Sequence, residues 1–231
     1  MLRGLEEQTW PVHRLIVMNT GKENWKAAYE KTTIPMEVHH LTREEFDHGK
    51  TRDQAARMSR ADYLLFMTQD ALPEDCHLIE KLVEAMERDE KIGAAYARQL
   101  PREDCRLMEQ YTRQFNYPEQ SRVKTKADIP TLGIKTFFCS DVCAAYRRDL
   151  FEALGGFESP VIFNEDMFFA ANAIEHGYGV AYAADAKVVH SHNYTMRQQF
   201  HRNFDLAVSQ KQHSEIFEQV SSEAEGMKLV K

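Results

Sequence analysis

Residues Asp62–Asp75 read DYLLFMTQDALPED, and the fold follows from this stretch. DYLLFM is a nearly continuous apolar run, the pattern of a strand buried on both faces of a parallel sheet. It stops at Thr68-Gln69-Asp70-Ala71-Leu72-Pro73, after which Asp75 can cap a helix expected to reach about Asp89. That helix places Leu78, Leu82, Ala85 and Met86 on one face. Working outward, His13–Met18 and Met36–Leu41 read as earlier strands, Glu23–Lys31 and Thr51–Arg60 as helices, and Ile92–Gln99 as a following strand. Strand and helix alternate at the spacing of βαβ crossovers. The expectation is an α/β protein with a mainly parallel sheet flanked by helices.

The second half is less regular. Residues 101–135 are polar, hold Pro101, Pro118 and Pro130 and the cations Arg122, Lys124 and Lys126, and read as a helix followed by a long loop. The segment Thr136–Arg147 comes next, then a short helix ending at Gly155-Gly156 and a helix from about Glu165 to His176. Tyr178–Tyr182 and Ala186–His190 read as strands, and Thr195–Gln219 as a long amphipathic helix. Its apolar row, Met196, Phe200, Phe204, Ala207 and Val208, is expected to pack on the core, with a membrane surface as the alternative. No repeat or linker interrupts the chain, so one domain is expected.

Composition narrows the function. The 231 residues are 43% hydrophobic and 28% charged, as in an ordinary globular protein. A net charge of −7 argues against a partner bound through its phosphate backbone, and no nucleic acid is expected. No apolar run approaches the roughly 18 residues of a membrane span. The opening MLRGLEEQTWPVH has neither the apolar stretch nor the cleavage site of a signal peptide. Cys76, Cys105, Cys139 and Cys143 form no CxxC pair and read as reduced thiols. Together these point to a cytoplasmic location.

Open parallel sheets bind ligands beyond the carboxyl ends of their strands. Here those ends carry Asn19-Thr20-Gly21, Thr68-Gln69-Asp70 and His190-Ser191-His192. Asp70 can hold a hard cation together with a substrate diphosphate, or can be a plain turn residue. His190 and His192 share one face of a strand and suit Mn²⁺ or Zn²⁺, or serve as backbone-bonded strand-end residues. Glu165-Asp166 opens a helix. Either Asn164 caps it and the acids favour its dipole, or one carboxylate is a general base for a hydroxyl. Adjacent helical residues diverge by about 100°, which excludes the facing carboxylate pair of a glycosidase. Gly49-Lys50-Thr51 lacks the upstream glycine of a P-loop, because position 44 is Glu.

Read in order, QTWPVHRLIVMNTG, FDHGKTRDQAA, DYLLFMTQDALPED, FFCSDVCAAYRRDLFEALGGF, FNEDMFFAANAIEHGYGVAYAADAKVVHSH and QQFHRNFD resemble the blocks of family 2 glycosyltransferases. The likeness runs from about residue 5 to about 210 and is greatest to the bacterial rhamnosyltransferase branch, in which a TQDA-like stretch replaces Asp-X-Asp. It implies a GT-A fold in which residues 1–100 bind the nucleotide sugar, 101–195 bind the acceptor and carry catalysis, and 196–231 form the C-terminal helix. It implies inverting transfer of a sugar, rhamnose by that likeness, from a nucleoside diphosphate to an acceptor hydroxyl, with Mg²⁺ or Mn²⁺. The acceptor would be a saccharide or lipid-linked saccharide of a surface polysaccharide, reached at the inner face of the membrane.

Carried over by position, Asn19, Thr20 and Gly21 fall at the nucleotide loop, and Gln69 and Asp70 at the diphosphate–metal motif. Asp166 matches the catalytic base with Glu165 beside it. His190 or His192 would be a further metal or phosphate ligand, and Gln199 and Arg202 would lie near the leaving diphosphate. The family's usual first strand, with its Pro-Thr-Tyr-Asn-like loop, has no counterpart here, and Asp-Asp-Gly-Ser is replaced by Asn-Thr-Gly-Lys. The expectation is therefore an N-terminally truncated GT-A sheet with an unpaired edge, which a homo-oligomer would cover. Two other readings remain at this point. One is a non-catalytic sugar-binding or interaction module that has lost donor binding; the other is a metal-dependent hydrolase using His190, His192, Asp70 and Asp166.

Overall fold

The computed structural model of the chain describes residues 1–217 and Val220. A short helix α1 (Leu2–Glu6) precedes two parallel strands, β1 (Leu15–Thr20) and β2 (Met36–Leu41), which pair only with each other among the described residues. Helix α2 (His48–Met58) packs on β1 and leads to β3 (Tyr63–Met67). Then come β4 (Leu72–Pro73), α3 (Leu78–Glu87), β5 (Ile92–Leu100), α4 (Leu107–Asn116), β6 (Arg122–Lys124) and α5 (Ile129–Leu132). The chain continues through β7 (Cys143–Arg147), α6 (Arg148–Ala153), α7 (Glu165–Glu175), β8 (Gly179–Val189), α8 (Met196–Gln212) and α9 (Ser214–Phe217).

The second sheet runs β3-β7-β5-β8-β4, with β6 also on β8. The α/β class and the helix-flanked sheet agree with the sequence reading, but the pairing is mixed. Among the described residues β1–β2 and β5–β8 are parallel, and β3–β7, β5–β7, β4–β8 and β6–β8 are antiparallel. Strands with both faces covered read as continuous apolar runs whichever way their neighbours point, so the pattern cannot report direction. β7 runs between β3 and β5, and its residues alternate between two apolar layers. Ala144 and Tyr146 enter one layer with Phe66, Phe151, Phe157 and Phe169, while Cys143 and Ala145 face α3 in the other. Leu78, Leu82 and Met86 of α3 are fully buried there, worth about 1.5–3 kcal/mol each.

Several elements differ from expectation. Glu23–Lys31 forms two 3-10 turns, Lys22–Asn24 and Ala27–Glu30, because Trp25 between them is extended. The two strands expected at 178–190 are one, β8, whose register against β5 jumps from Ala97↔Ala183 to Arg98↔Lys187. The loop expected after α4 holds β6 and α5. α8 starts at a capping box between Thr195 and Gln198 and ends at Gln212; the expected end at Gln219 lies outside the described residues. Its row does not pack on the core as expected: Met196, Phe200 and Phe204 are 88%, 66% and 59% exposed. Among the described residues no helix is long and apolar enough to cross a membrane. The four thiols are free.

Candidate active site

Three strand ends build the first cluster. The register shift in β8 carries its end past β5, where His190 N–H continues the ladder to the Leu100 carbonyl at 2.9 Å. β4 pairs antiparallel with the same end, Leu72 opposite Val189, so the turn before β4 lays Asp70 against the two histidines. Asp70 Oδ2 lies 3.5 Å from His190 Nε2 and 3.3 Å from His192 Nε2. One ligand atom from each of Asp70, His190 and His192 lies within 4.8 Å of the others. Burial works against the Asp70 carboxylate, but the Thr68 hydroxyl and the two imidazoles outweigh it and hold the carboxyl below its usual range. Burial pushes His190 down to about 4 and His192 down as well, so both rings are neutral and can offer a lone pair. Two neutral imidazoles and a carboxylate fit a divalent transition ion such as Mn²⁺ or Zn²⁺.

The second cluster gathers three carboxylates around one guanidinium. Glu165 and Asp166 open α7 behind Asn164, which takes the N-cap position in the left-handed region (φ 71°) without a side-chain cap bond. Arg52 on α2 lies 2.9 Å from Glu165 Oε1 and 3.1 Å from Asp141 Oδ2. Asp141 N–H donates to Asp166 Oδ2 at 2.9 Å, Met167 N–H donates to Asp166 Oδ1 at 2.7 Å, and Tyr146 O–H donates to Asp141 Oδ1 at 2.6 Å. Burial raises all three acids above their ordinary values: Asp141 far up, Glu165 up, and Asp166 up to about 7 with help from the Glu165 charge. Burial also lowers His48 to about 4, and its Nδ1 lies 3.2 Å from the Arg52 guanidinium, from which it can only accept.

α2 is locked to the segment before α7, which fixes Arg52 under Glu165. Asp47 accepts from Lys50 N–H at the start of α2 and from Val161 N–H, and Asp53 accepts from Phe157 N–H. A Cβ on Gly49 would stand 1.9 Å from the Glu158 carbonyl oxygen. The glycine of Gly49-Lys50-Thr51 thus serves a close backbone approach.

A buried chain of hydrogen bonds joins the clusters. His190 Nδ1 is 3.0 Å from Gln99 Oε1, and Gln99 Nε2 donates to Ser140 Oγ at 2.9 Å, one residue before Asp141. Arg202 reaches toward both ends: its guanidinium carbon is 5.1 Å from the Phe163 ring and 5.9 Å from that of Tyr194, which stacks on His192. Of the residues singled out in the sequence, Asp70, His190 and His192 meet at one point, and Glu165 and Asp166 at another. Gln69 is exposed on the turn beside Asp70. Gln199 turns along its own helix to Asn203, 2.8 Å away. Asn19 bonds the Gly21 carbonyl and His40 within the β1–β2 pair, with Thr20 and Gly21 at that strand's end. Sequence reading missed His48, Arg52, Gln99 and Asp141. The one signal was the i,i+4 spacing of His48 and Arg52 on a helix face.

Comparison with known proteins bears on the family and the fold. Residues 1–155 match the family described as Glycosyl transferase family 2. The chain is 43% identical over 209 residues to O-antigen chain rhamnosyltransferase RfbN of Salmonella typhimurium, covering 90% of this chain and 66% of that protein. It is 46% identical over 208 residues to O-antigen chain rhamnosyltransferase WbaN of Salmonella anatum, covering 88% of this chain and 64% of that one. The chain therefore spans slightly under two thirds of the length of both. Among solved structures, mannosyltransferase PcManGT from Pyrobaculum calidifontis with GDP-Man and Mn²⁺ superposes with a TM-score of 0.58 at 17% identity, over 82% of this chain and 51% of that one. S. aureus TarS 1-349 with UDP-GlcNAc gives 0.61 at 14% identity, over 84% and 54%. At such identities these structures speak for the fold alone, and that fold is GT-A. By the family match over more than half its length and its identity to the two rhamnosyltransferases, the chain belongs to glycosyltransferase family 2.

Proposed function

We propose that this chain is the donor-binding and catalytic part of an inverting glycosyltransferase that moves a sugar from a nucleoside diphosphate to an acceptor hydroxyl in surface polysaccharide assembly. The observation that carries the reading is the convergence of Asp70, His190 and His192 on one point, at the end of the strands where such a sheet takes its ligand. Rhamnose as the sugar and an O-antigen chain as the acceptor follow from the names of the two relatives.

Asp70, His190 and His192 would hold a divalent ion, with Mn²⁺ suggested by the company of PcManGT. Bound there, it would supply positive charge to the donor diphosphate as the sugar departs. Arg202, exposed beside Phe163 and Tyr194, would add a fixed cation on the same leaving group. Asp166 is the base. Each of its oxygens accepts one backbone N–H, which leaves lone pairs for the acceptor hydroxyl, and a value near 7 suits taking a proton at neutral pH. Asn19, Thr20, Gly21 and Gln69 are proposed donor contacts, and Gln199 a neighbour of the diphosphate. In this reading the enzyme works in the cytoplasm, with the exposed row of α8 turned to the membrane that holds a lipid-linked acceptor.

Calorimetry with a panel of nucleoside diphosphates and nucleotide sugars, with and without Mn²⁺, tests the reading. Metal-assisted binding that is lost in Asp70→Ala is expected. A folded wild-type chain that binds none of the panel would overturn the reading in favour of a module that has lost donor binding.

A further inference from the structure

We propose that Gln99 is a positioning residue that sets the tautomer of His190, leaving its Nε2 bare toward the cation site, and ties that site to the loop that carries Asp141. The inference rests on the metal reading of Asp70, His190 and His192.

Gln99 sits near the end of β5, 2% exposed, with every polar valence of its amide engaged. Its Nε2 donates to Tyr117 Oη at 2.5 Å and Ser140 Oγ at 2.9 Å. Its Oε1 faces the Arg113 guanidinium and His190 Nδ1, the latter at 3.0 Å. A guanidinium only donates, so the amide atom facing Arg113 must be the oxygen, and this removes the usual ambiguity between amide oxygen and nitrogen. Arg113 is itself aimed by Glu109, 2.6 Å away on the preceding turn of α4. The same oxygen can meet His190 Nδ1 only if that nitrogen carries the proton. Nε2 is then unprotonated, and it points at Asp70 Oδ2 from 3.5 Å. A lone pair facing a carboxylate repels, and a cation between them relieves that repulsion. Outer-shell acceptors of this kind orient metal-binding imidazoles and raise their basicity.

The other end of the amide acts on the base. Ser140 precedes Asp141, whose N–H holds Asp166 Oδ2 at 2.9 Å. A single side chain therefore sets the ring that faces the donor and the loop that holds the base.

The tautomer is read directly by ¹⁵N NMR of the imidazole nitrogens in the wild-type chain without metal. Nδ1 protonated and Nε2 bare is expected for His190; the reverse overturns the inference. Co²⁺ titration followed by visible absorption supplies the second readout. Gln99→Leu is expected to weaken Co²⁺ binding at least tenfold. Gln99→Glu should stay within about threefold of wild type, because a carboxylate still accepts from Nδ1–H and from Arg113, and the Tyr117 and Ser140 hydroxyls can turn to donate to it. Equal loss in both variants, or loss in neither, overturns the positioning role. If the wild type binds no Co²⁺, or Asp70→Ala leaves binding unchanged, the metal reading itself fails and this inference goes with it.

Discussion

The Arg52 guanidinium lies 2.9 Å from the Glu165 carboxylate. Of the two adjacent acids that open α7, Glu165 is thereby engaged directly by a fixed cation, whereas the hydrogen bonds of Asp166 among the described residues come from backbone N–H groups. The two should separate on mutation. Asp166→Asn is expected to lower transfer by about 10²–10⁴-fold. Glu165→Gln should act mainly on stability. Initial rates at pH 8 alongside urea unfolding of both variants decide it; an Asp166→Asn enzyme within tenfold of wild type would dismiss Asp166 as the base.

Asp166 also makes stability depend on pH. Its folded value of about 7 lies above its ordinary 3.8, so between those limits the folded state binds the extra proton and stability falls as pH rises. Asp166→Asn removes this dependence. The variant should gain roughly 1–2 kcal/mol over wild type at pH 8 and nothing at pH 4, by urea denaturation.

Arg52 compensates three buried carboxylates. Its own value stays raised although burial works to lower it, because Asp141, Glu165 and Asp166 surround it. Arg52→Met leaves those acids without a cation and should cost about 3–5 kcal/mol at pH 8, shrinking at pH 5 as they take up protons. Thermal melts at the two pH values check this, and a loss independent of pH would speak for packing instead.

Lys124 is buried with its ammonium on the carbonyls of Lys135 and Phe138 and 4.8 Å from the centre of the Tyr96 ring. Burial lowers it from 10.5 to about 7. The unfolded chain binds the extra proton between those values, so this residue makes stability rise with pH there. In Lys124→Met that rise should be absent. Unfolding free energies at pH 7 and 9.5, compared between variant and wild type, measure it.

The apolar row of α8, flanked by Arg197 and His201, should draw the protein to vesicles of anionic lipid. Phe200→Ser with Phe204→Ser is expected to cut co-sedimentation at least fivefold and leave nucleotide binding intact. Unchanged sedimentation removes the membrane from the reading of this face.

The sequence disclosed chemistry that sits at strand ends and hid chemistry that tertiary packing creates. Asp70 and the His190–His192 pair follow strongly apolar strands, so their place beyond a sheet is legible from burial pattern and turn residues. Asp166 is legible as an acid at a helix start. In the sequence Gln99 is the last residue of an expected strand, and only the register of β5 against β8 shows that it meets His190. Arg52 and Asp141 lie in segments far apart along the chain, brought together by the bonds of Asp47 and Asp53 to the loop before α7. Strand direction in the central sheet was hidden as well, since alanines such as Ala94, Ala95, Ala144 and Ala145 fit either sense.

Strands β1 and β2 pair only with each other among the described residues, and every residue of β1 keeps part of its surface in solvent. A two-stranded unit of this kind is marginal by itself. The proposed donor loop at Asn19 therefore rests on a pair that is expected to open more readily than the six-stranded sheet. Its amides should exchange with deuterated solvent well before those of β5 or β7. A nucleotide that settled there would slow that exchange, and part of its binding free energy would go into holding the pair closed.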